Sequence, residues 1–180
     1  MTRNIRWACF VLSLACAADG NLAVRTAAHA QASSATAPNP VITGATIDKK
    51  DFQLKSLQGK VVLVMFWSTD CAVCRDKMPE LRQNAAGWVD KPFELVLVNV
   101  DRRMDDVATY NSIINKSVPV KQRFTQLWSG DSEYKDNLGT TQLQRGQLPT
   151  TLLIDKTGKL VERYNGRIPA QVWDTISDML

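Results

Sequence analysis

The sequence predicts an α/β protein with a central mixed β-sheet flanked by helices. Two near-continuous apolar runs, 61–67 and 93–101, are each followed by a segment with helical periodicity, which is typical of parallel strands buried on both faces. A third apolar run, 151–154, leads into an Asp-Lys-Thr-Gly turn and a further short run, which is typical of an antiparallel hairpin. The sheet should therefore have a parallel part and an antiparallel tail.

The segments on either side of the first apolar run predict a hairpin and a helix. Residues 52–54 alternate in polarity and 55–60 contain a turn, so we expect an edge hairpin as an N-terminal extension. Residues 72–86 are amphipathic and predict a helix. Pro79 should kink this helix because proline removes a backbone hydrogen bond, and Gly87 should end it.

The region between the second and third apolar runs has weaker patterns. Residues 104–115 predict a second helix. Within 116–147, residues 124–128 fit a short strand and 131–138 fit a helix closed by a glycine. Residues 140–147 are polar and predict a loop.

The last part of the chain returns to a clear pattern. Residues 160–164 should pair back onto 151–154 across the turn 155–158. Pro169 is expected at the start of a C-terminal helix. The apolar stripe of that helix has helical spacing and consists of Val172, Ile176, Met179 and Leu180.

The N-terminus has the features of a secretory signal peptide. Arg3 and Arg6 precede an apolar stretch, 7–18, whose 12 residues are too few to span a bilayer. Ala-His-Ala at 28–30 offers a cleavage site. An uncleaved anchor is the weaker alternative.

These features divide the chain into three parts. We expect a cleaved signal peptide at 1–30, a flexible leader at 31–40 and one folded domain at 41–180. Cleavage after Ala17 and lipidation of Cys16 remain open alternatives. The expected location is the periplasm of a bacterial envelope.

Charge, histidine and cysteine usage exclude several functions. The net charge is +4, with no basic stripe interleaved with aromatic residues, so no nucleic-acid partner is expected. Cys9 and Cys16 fall in the expected signal peptide, as does His29, which is the only histidine. A mature domain without histidine excludes a Cys/His zinc site and a Cys–His or Ser–His catalytic pair, so no metal is expected. Cys71 and Cys74 are left with redox chemistry or a structural role.

Cys71 and Cys74 lie where a predicted strand passes into a predicted helix. Cys71 would lie at or just before the first helical turn, where free N–H groups and the helix dipole favour an anion. It is therefore the candidate low-pKa nucleophile. Cys74 would lie one turn further along, close enough to attack a mixed disulfide formed at Cys71.

Several separated motifs carry a family resemblance. A CxxC motif beside a βαβ pattern is typical of thioredoxin-like proteins, and Pro79 and the Leu-Pro-Thr-Thr sequence at 148–151 stand where thioredoxins have a helix kink and a cis-proline loop. More narrowly, residues 41–180 resemble the TlpA/ResA group of exported thiol–disulfide oxidoreductases. The matching pieces are 57–63, 74–81, 98–101 and 148–158.

The resemblance implies a thioredoxin-like fold and a disulfide reductase that acts on exported proteins and has antioxidant activity. Cys71 would attack a substrate disulfide and Cys74 would resolve the mixed disulfide, with no cofactor beyond this redox-active disulfide. Protein disulfides or dithiols are the implied substrates, and a membrane protein is the implied electron donor.

The resemblance also implies a substrate-binding surface beside the sulfurs. A cis Pro149 would hold its loop opposite the CxxC, and the backbone of Leu148 would pair with an extended substrate. Leu148 and Trp67 would offer an apolar surface to that substrate, with Thr150 beside them. A trans proline at the start of an edge strand, and a Trp67 that is ordinary core, are the alternatives.

The chain departs from the family pattern at positions that affect the sulfurs. Asp70 replaces the usual tryptophan, and its carboxylate should oppose a thiolate at Cys71. Met65 stands where thioredoxin has a buried aspartate, and Lys77 stands where many TlpA/ResA-type proteins have a glutamate. A Lys77 facing the sulfurs would favour a thiolate, whereas a solvated Lys77 would have little effect.

Two other functions remain open. In a peroxiredoxin-like thiol peroxidase Cys74 would be the peroxidatic thiol, although peroxiredoxins usually have threonine where Cys71 stands. Arg123 and Arg145 are candidate partners for that thiol, with no pattern to choose either. In a non-catalytic binding domain the pair would form a static disulfide.

Overall fold

A computed structural model describes residues 39–139, 143 and 145–180. The expected signal peptide at 1–30, with its cleavage and lipidation sites, lies outside these residues. So do most of the leader and half of the predicted loop at 140–147.

The central sheet has five strands in the order β5–β4–β3–β7–β8. Strands β3, β4 and β5 are parallel, whereas β7 is antiparallel to both β3 and β8. This is the predicted mixed sheet with an antiparallel tail. Its strands are β3 (Val61–Trp67), β4 (Phe93–Asn99), β5 (Thr125–Trp128), β7 (Thr150–Ile154) and β8 (Leu160–Asn165).

Three helices pack on this sheet. They are α1 (Ala72–Gly87), α2 (Met104–Ser117) and α3 (Gln171–Met179). The connections β3–α1–β4 and β4–α2–β5 move in the same direction across the sheet, and the right-handed crossover rule therefore places α1 and α2 on one face. Pro79 lies inside α1, and Gly87 is its last residue, as the sequence predicts.

The buried core follows the apolar runs of the sequence. All seven residues of β3 are buried, and so are all five of β7, because both strands have neighbours on each side and covered faces. β8 is an edge strand, and its residues are largely exposed. The third helix buries Val172 and Ile176 against the core.

A small three-stranded antiparallel sheet precedes and borders the main one. It consists of β1 (Ile42–Ala45), β2 (Asp51–Gln53) and β6 (Lys135–Asp136), in the order β2–β1–β6. The N-terminal hairpin therefore exists, but it is formed by β1 and β2. The predicted turn-back at 55–60 is wrong, because 54–57 form a 3-10 turn that leads directly towards β3.

The helix predicted at 131–138 is also wrong. The side chain of Asp131 accepts a hydrogen bond from the backbone N–H of Glu133, and that of Asp136 accepts one from the N–H of Leu138. Such local bonds compete with helical ones. The segment instead forms turns and the short strand β6, which pairs with β1.

We predict that Gly44→Ala destabilises the domain by about 1–3 kcal/mol. Gly44 has a φ of +149°, and a Cβ there would lie 3.0 Å from the backbone Cα of Tyr134. Gly87→Ala is the matched control, because a Cβ at Gly87 meets nothing within 4 Å, and it should be neutral or slightly stabilising. Urea unfolding measures both changes, and equal midpoints for the two variants would contradict the prediction.

Candidate functional site

The CxxC pair lies at the start of helix α1. Cys71 is the N-cap residue, and its Sγ accepts a hydrogen bond from the backbone N–H of Cys74 at 3.1 Å. A disulfide joins the two residues. Cys74 is fully buried at 0% exposure, whereas Cys71 is partly exposed. Cys71 is therefore the sulfur that another molecule can reach.

The start of α1 favours negative charge on the Cys71 sulfur. The first turn of the helix contains no acidic residue, so the positive end of the helix dipole is not compensated there. The hydrogen bond from the N–H of Cys74 would also stabilise a thiolate. Asp70 opposes this, but its side chain is exposed and its carboxylate accepts a hydrogen bond from the hydroxyl of Ser68.

The loop between β3 and α1 is tied to the ends of the neighbouring strands. The backbone N–H of Thr69 donates to both carboxylate oxygens of Asp101, at 3.1 and 3.0 Å. The side-chain amide of Asn99 donates to the same carboxylate at 2.9 Å, and the indole N–H of Trp128 donates to the backbone carbonyl of Asp101 at 2.7 Å. The sequence prediction missed this network. In the sequence, the signal for this network is the pair of polar residues Asn99 and Asp101 at the end of a buried strand.

Lys77 is buried and forms an ion pair with the partly exposed Glu80. It is only 6% exposed, and its Nζ donates to both carboxylate oxygens of Glu80, at 2.8 and 2.7 Å. Glu80 also accepts a hydrogen bond from the indole N–H of Trp173 on α3, at 2.6 Å. Burial raises the pKa of Glu80, but the hydrogen bonds from Lys77 and Trp173 outweigh it and hold that pKa below its usual range. The solvated alternative for Lys77 is thus wrong.

The position equivalent to thioredoxin's buried aspartate is apolar. Met65 has no exposed surface and lies between Leu97 on β4 and Thr151 on β7. The carboxylate of Glu80, six residues after Cys74 on α1, pairs with the buried Lys77.

The proline loop lies beside the end of β3. The Leu148–Pro149 peptide bond is cis. Thr150 pairs with Phe66 of β3, so Pro149 follows the sheet register towards Trp67 and the CxxC loop. The hydroxyl of Thr150 donates to the carbonyl of Gln147 at 2.7 Å, which fixes the loop to the start of β7.

Trp67 does not offer a surface to a substrate. It is fully buried in β3, and its ring packs edge-on against Tyr110 of α2 with centroids 5.0 Å apart. The predicted apolar surface is therefore wrong for Trp67, which is a core residue. Leu148 and Thr150 are buried as well, so neither offers a side-chain surface to a substrate.

Two further findings concern metals and membranes. Among the described residues, no three histidine, cysteine or acidic side chains come together as metal ligands would. In the same part of the chain, no helix is both long and apolar enough to cross a bilayer.

The chain is similar to known proteins over most of its length. The profile of the AhpC/TSA family matches residues 31–163. A thiol–disulfide oxidoreductase ResA from Bacillus cereus (strain ZK) is 31% identical over 131 residues, which is 72% of this chain and 68% of that protein. A ResA from Bacillus thuringiensis (strain Al Hakam) is 32% identical over 130 residues, with the same coverage of 72% and 68%.

Solved structures share the fold. The thioredoxin domain of a thiol–disulfide oxidoreductase from Bacteroides vulgatus superposes with a TM-score of 0.60 and 24% identity, covering 78% of this chain and 93% of that one. A thioredoxin-family thiol:disulfide interchange protein from Chlorobium tepidum TLS has a TM-score of 0.60 and 21% identity, covering 79% and 94%. The fold is therefore thioredoxin-like.

The family follows from these matches together with the site. A family profile covers most of the chain, curated relatives exceed 30% identity over 72% of it, and a CxxC disulfide caps the helix that follows a central strand. The chain belongs to the AhpC/TSA family and, within it, to the thioredoxin-like thiol–disulfide oxidoreductases of the ResA/TlpA type.

Proposed function

We propose that this protein reduces disulfides of specific exported proteins in the bacterial periplasm, with Cys71 as the nucleophile and Cys74 as the resolving thiol. The observation that supports these roles best is the difference in exposure between the two sulfurs. Cys71 is partly exposed at a helix N-terminus, whereas Cys74 is fully buried behind it. The signal-peptide features of residues 1–30 support the location.

The reaction has two displacement steps. In the first, the Cys71 thiolate attacks one sulfur of the substrate disulfide, forms a mixed disulfide and releases the other substrate sulfur as a thiolate. In the second, Cys74 loses its proton to that thiolate and attacks the Cys71 sulfur, which releases the second substrate sulfur. Two electrons pass to the substrate, and the enzyme is left with the Cys71–Cys74 disulfide that the structure contains.

The proline loop would bind the substrate through its backbone. The backbone groups of Leu148, which precedes the cis peptide bond, are what an extended substrate could pair with. The register of β7 against β3 supports this role, because it directs the loop towards the CxxC end of β3.

A repeated cycle needs an electron donor. The periplasm is oxidising, and the disulfide left after each turnover must be reduced again. We infer that a membrane protein supplies these electrons through a dithiol that attacks Cys71, the accessible sulfur. No cofactor beyond the redox-active disulfide enters this scheme.

The network on α1 would set the pKa of the thiols. Lys77 lies three residues after Cys74 on the buried side of the helix, and its ammonium would favour a thiolate. Glu80 compensates part of that charge. The exposed carboxylate of Asp70 acts in the opposite direction, weakened by solvent.

A thiol peroxidase and a static disulfide are the competing functions. A peroxidatic Cys74 would be fully buried, and the guanidinium of Arg123 donates to the carbonyls of Asn115 and Val118. The side chain of Arg145 lies outside the described residues. Consumption of hydrogen peroxide by the reduced protein tests the first competitor, and the trapping experiment below tests the second.

We predict that Cys74→Ser accumulates a mixed disulfide with substrate proteins, because Cys71 can attack but nothing resolves the product. Cys71→Ser is the matched control and should trap nothing, since its remaining thiol is buried. Non-reducing gels of cells that express each variant provide the measurement. Equal trapping by both variants, or by neither, would contradict the assigned roles.

We also predict a reducing potential for the Cys71/Cys74 couple. A reductase should have a potential near that of thioredoxin, about −270 mV, whereas a disulfide donor should have one near about −120 mV. Equilibration in dithiothreitol or glutathione buffers, followed by thiol labelling, measures it. A value at the oxidising end would exclude the reductase direction, and a pair that never equilibrates would favour a static disulfide.

The charges on α1 predict how the pKa of Cys71 responds to substitution. Lys77→Met removes a cation and should raise the pKa of Cys71, whereas Glu80→Gln leaves Lys77 uncompensated and should lower it. Lys116→Met, on the exposed end of α2, should have no effect. The rate of iodoacetamide alkylation as a function of pH reports the thiol pKa.

Glu80 gives the same experiment an independent readout. Its pKa is lower in the folded protein than its ordinary 4.5, so the network stabilises the fold above that value, and this contribution is lost as the pH falls through the folded pKa. Lys77→Met should raise the Glu80 pKa, which carboxyl ¹³C NMR can follow. An unchanged Glu80 pKa would mean that the ion pair does not form in solution.

A further inference from the structure

A cavity of about 320 Å³ lies on the helical side of the sheet, away from the CxxC motif. Helices α1 and α2, the start of β5 and the loop after β1 line it. Its volume is at the lower end of the range found for small-molecule sites. Nothing in the redox mechanism uses it.

The cavity contains an unpaired guanidinium. Arg82 lines it, and its guanidinium carbon lies 5.4 Å from the centre of the Phe124 ring. Among the described residues, no carboxylate lies within ion-pair distance of Arg82 and no group accepts a hydrogen bond from it. Its Nε is buried without a partner. Its terminal nitrogens are not among the buried atoms, so they can donate to a ligand that enters the cavity.

A second donor without a partner belongs to the cavity wall. Trp67 lines the inner end, and its indole nitrogen is also buried without a hydrogen-bond partner in the described part of the chain. Most buried polar groups in proteins are paired with protein or with water. Both atoms, Arg82 Nε and Trp67 Nε1, lie beneath the cavity surface, so the donors that an occupant can reach are the terminal nitrogens of Arg82, and these need an acceptor.

The residues that line the cavity indicate which class of ligand it can bind. Besides Arg82, the cavity is lined by two cations, Lys50 and Arg123, and by one acid, Asp48. A negatively charged ligand is therefore favoured. Apolar and aromatic side chains form one part of the remaining surface, namely Trp67, Met78, Leu97, Tyr110, Ile114 and Phe124, and uncharged polar residues such as Asn111, Asn115 and Gln126 form the rest.

We propose that this cavity binds a small organic carboxylate with a flat apolar body. Its carboxylate pairs with the guanidinium of Arg82, in the bidentate geometry that arginine favours. Its apolar body packs against Tyr110 and Ile114 on α2 and against the inner wall at Trp67. A protonated amine or a neutral polar ligand would leave Arg82 unpaired.

The site is separate from the redox centre, although both are built on β3 and α1. Arg82 lies eleven residues after Cys71, which corresponds to about 16 Å along a helix that rises 1.5 Å per residue. Trp67 ends the strand that leads into the CxxC loop. The proposal does not depend on the direction of electron flow or on the substrate of the thiols.

Titration of the oxidised protein with phenylacetate, compared with phenylacetamide, tests the proposal. Oxidised protein is used because its sulfurs cannot exchange. We expect phenylacetate to bind with a dissociation constant below about 1 mM, and the neutral amide to bind at least tenfold more weakly. Isothermal calorimetry gives the affinities, and the ¹H–¹⁵N NMR signal of the Trp67 indole should shift with the carboxylate.

Variants assign the binding to this cavity. Arg82→Gln should weaken phenylacetate binding at least tenfold, while Arg163→Gln on the exposed strand β8 should not change it. Ile114→Trp fills the cavity but keeps the guanidinium, and it should also block binding. This second variant keeps the test decisive if Arg82→Gln does not fold.

Three results would overturn the proposal. Phenylacetate could fail to bind, which would mean that water alone fills the cavity. It could bind equally well to Arg82→Gln, which would place it elsewhere. Inorganic phosphate could compete with it at equal concentration, which would reduce the site to a simple anion contact without a role for the apolar wall.

Discussion

The arrangement of the site depends on the complete burial of strand β3. All seven of its residues are buried, and it pairs along most of its length with β4 on one side and β7 on the other. A strand held in this way cannot shift its register without exposing core residues or breaking two ladders. Its end is therefore fixed, and so is the point at which the chain enters the CxxC loop.

Both supports of the CxxC loop follow from that register. On the β4 side, the residues that follow the strand bring the carboxylate of Asp101 to the N–H of Thr69. On the β7 side, Thr150 pairs with Phe66, which places the Pro149 loop at the same end of the sheet. The helix then begins at Cys71, whose sulfur serves as its N-cap. The sulfur that caps the helix is thus the one that remains exposed.

The parts of this arrangement that depend on continuous apolar runs could be predicted from the sequence. Strands β3, β4 and β7 and the position of Cys71 belong to this group, because a strand buried on both faces consists of nearly continuous apolar residues. The segment 131–138 could not be predicted, since local bonds from two aspartates outweighed a weak helical pattern. The sequence predicts the N-terminal hairpin too late in the chain, because its first strand, β1, is short and contains a glycine.

The side-chain environment of the site was harder to predict than its backbone. The family resemblance predicts a surface role for Trp67, but the fold covers it with Tyr110 of α2. Lys77 is buried and pairs with Glu80, which also accepts a hydrogen bond from Trp173, 93 residues further along the chain. Contacts between such distant residues leave no periodic pattern. The sequence therefore identifies which residues are at the site but not what surrounds them.

The position of β7 beside β3 also governs the order in which the protein can assemble. The chain is synthesised from its N-terminus, so Cys71 and Cys74 are made long before residues 148–154, which complete the sheet next to them. Until then β3 has an open edge, and the two thiols have no proline loop opposite them. Cys71 and Cys74 therefore exist first as an accessible dithiol beside an incomplete sheet. The proline loop can face the two thiols only when nearly the whole domain has been synthesised.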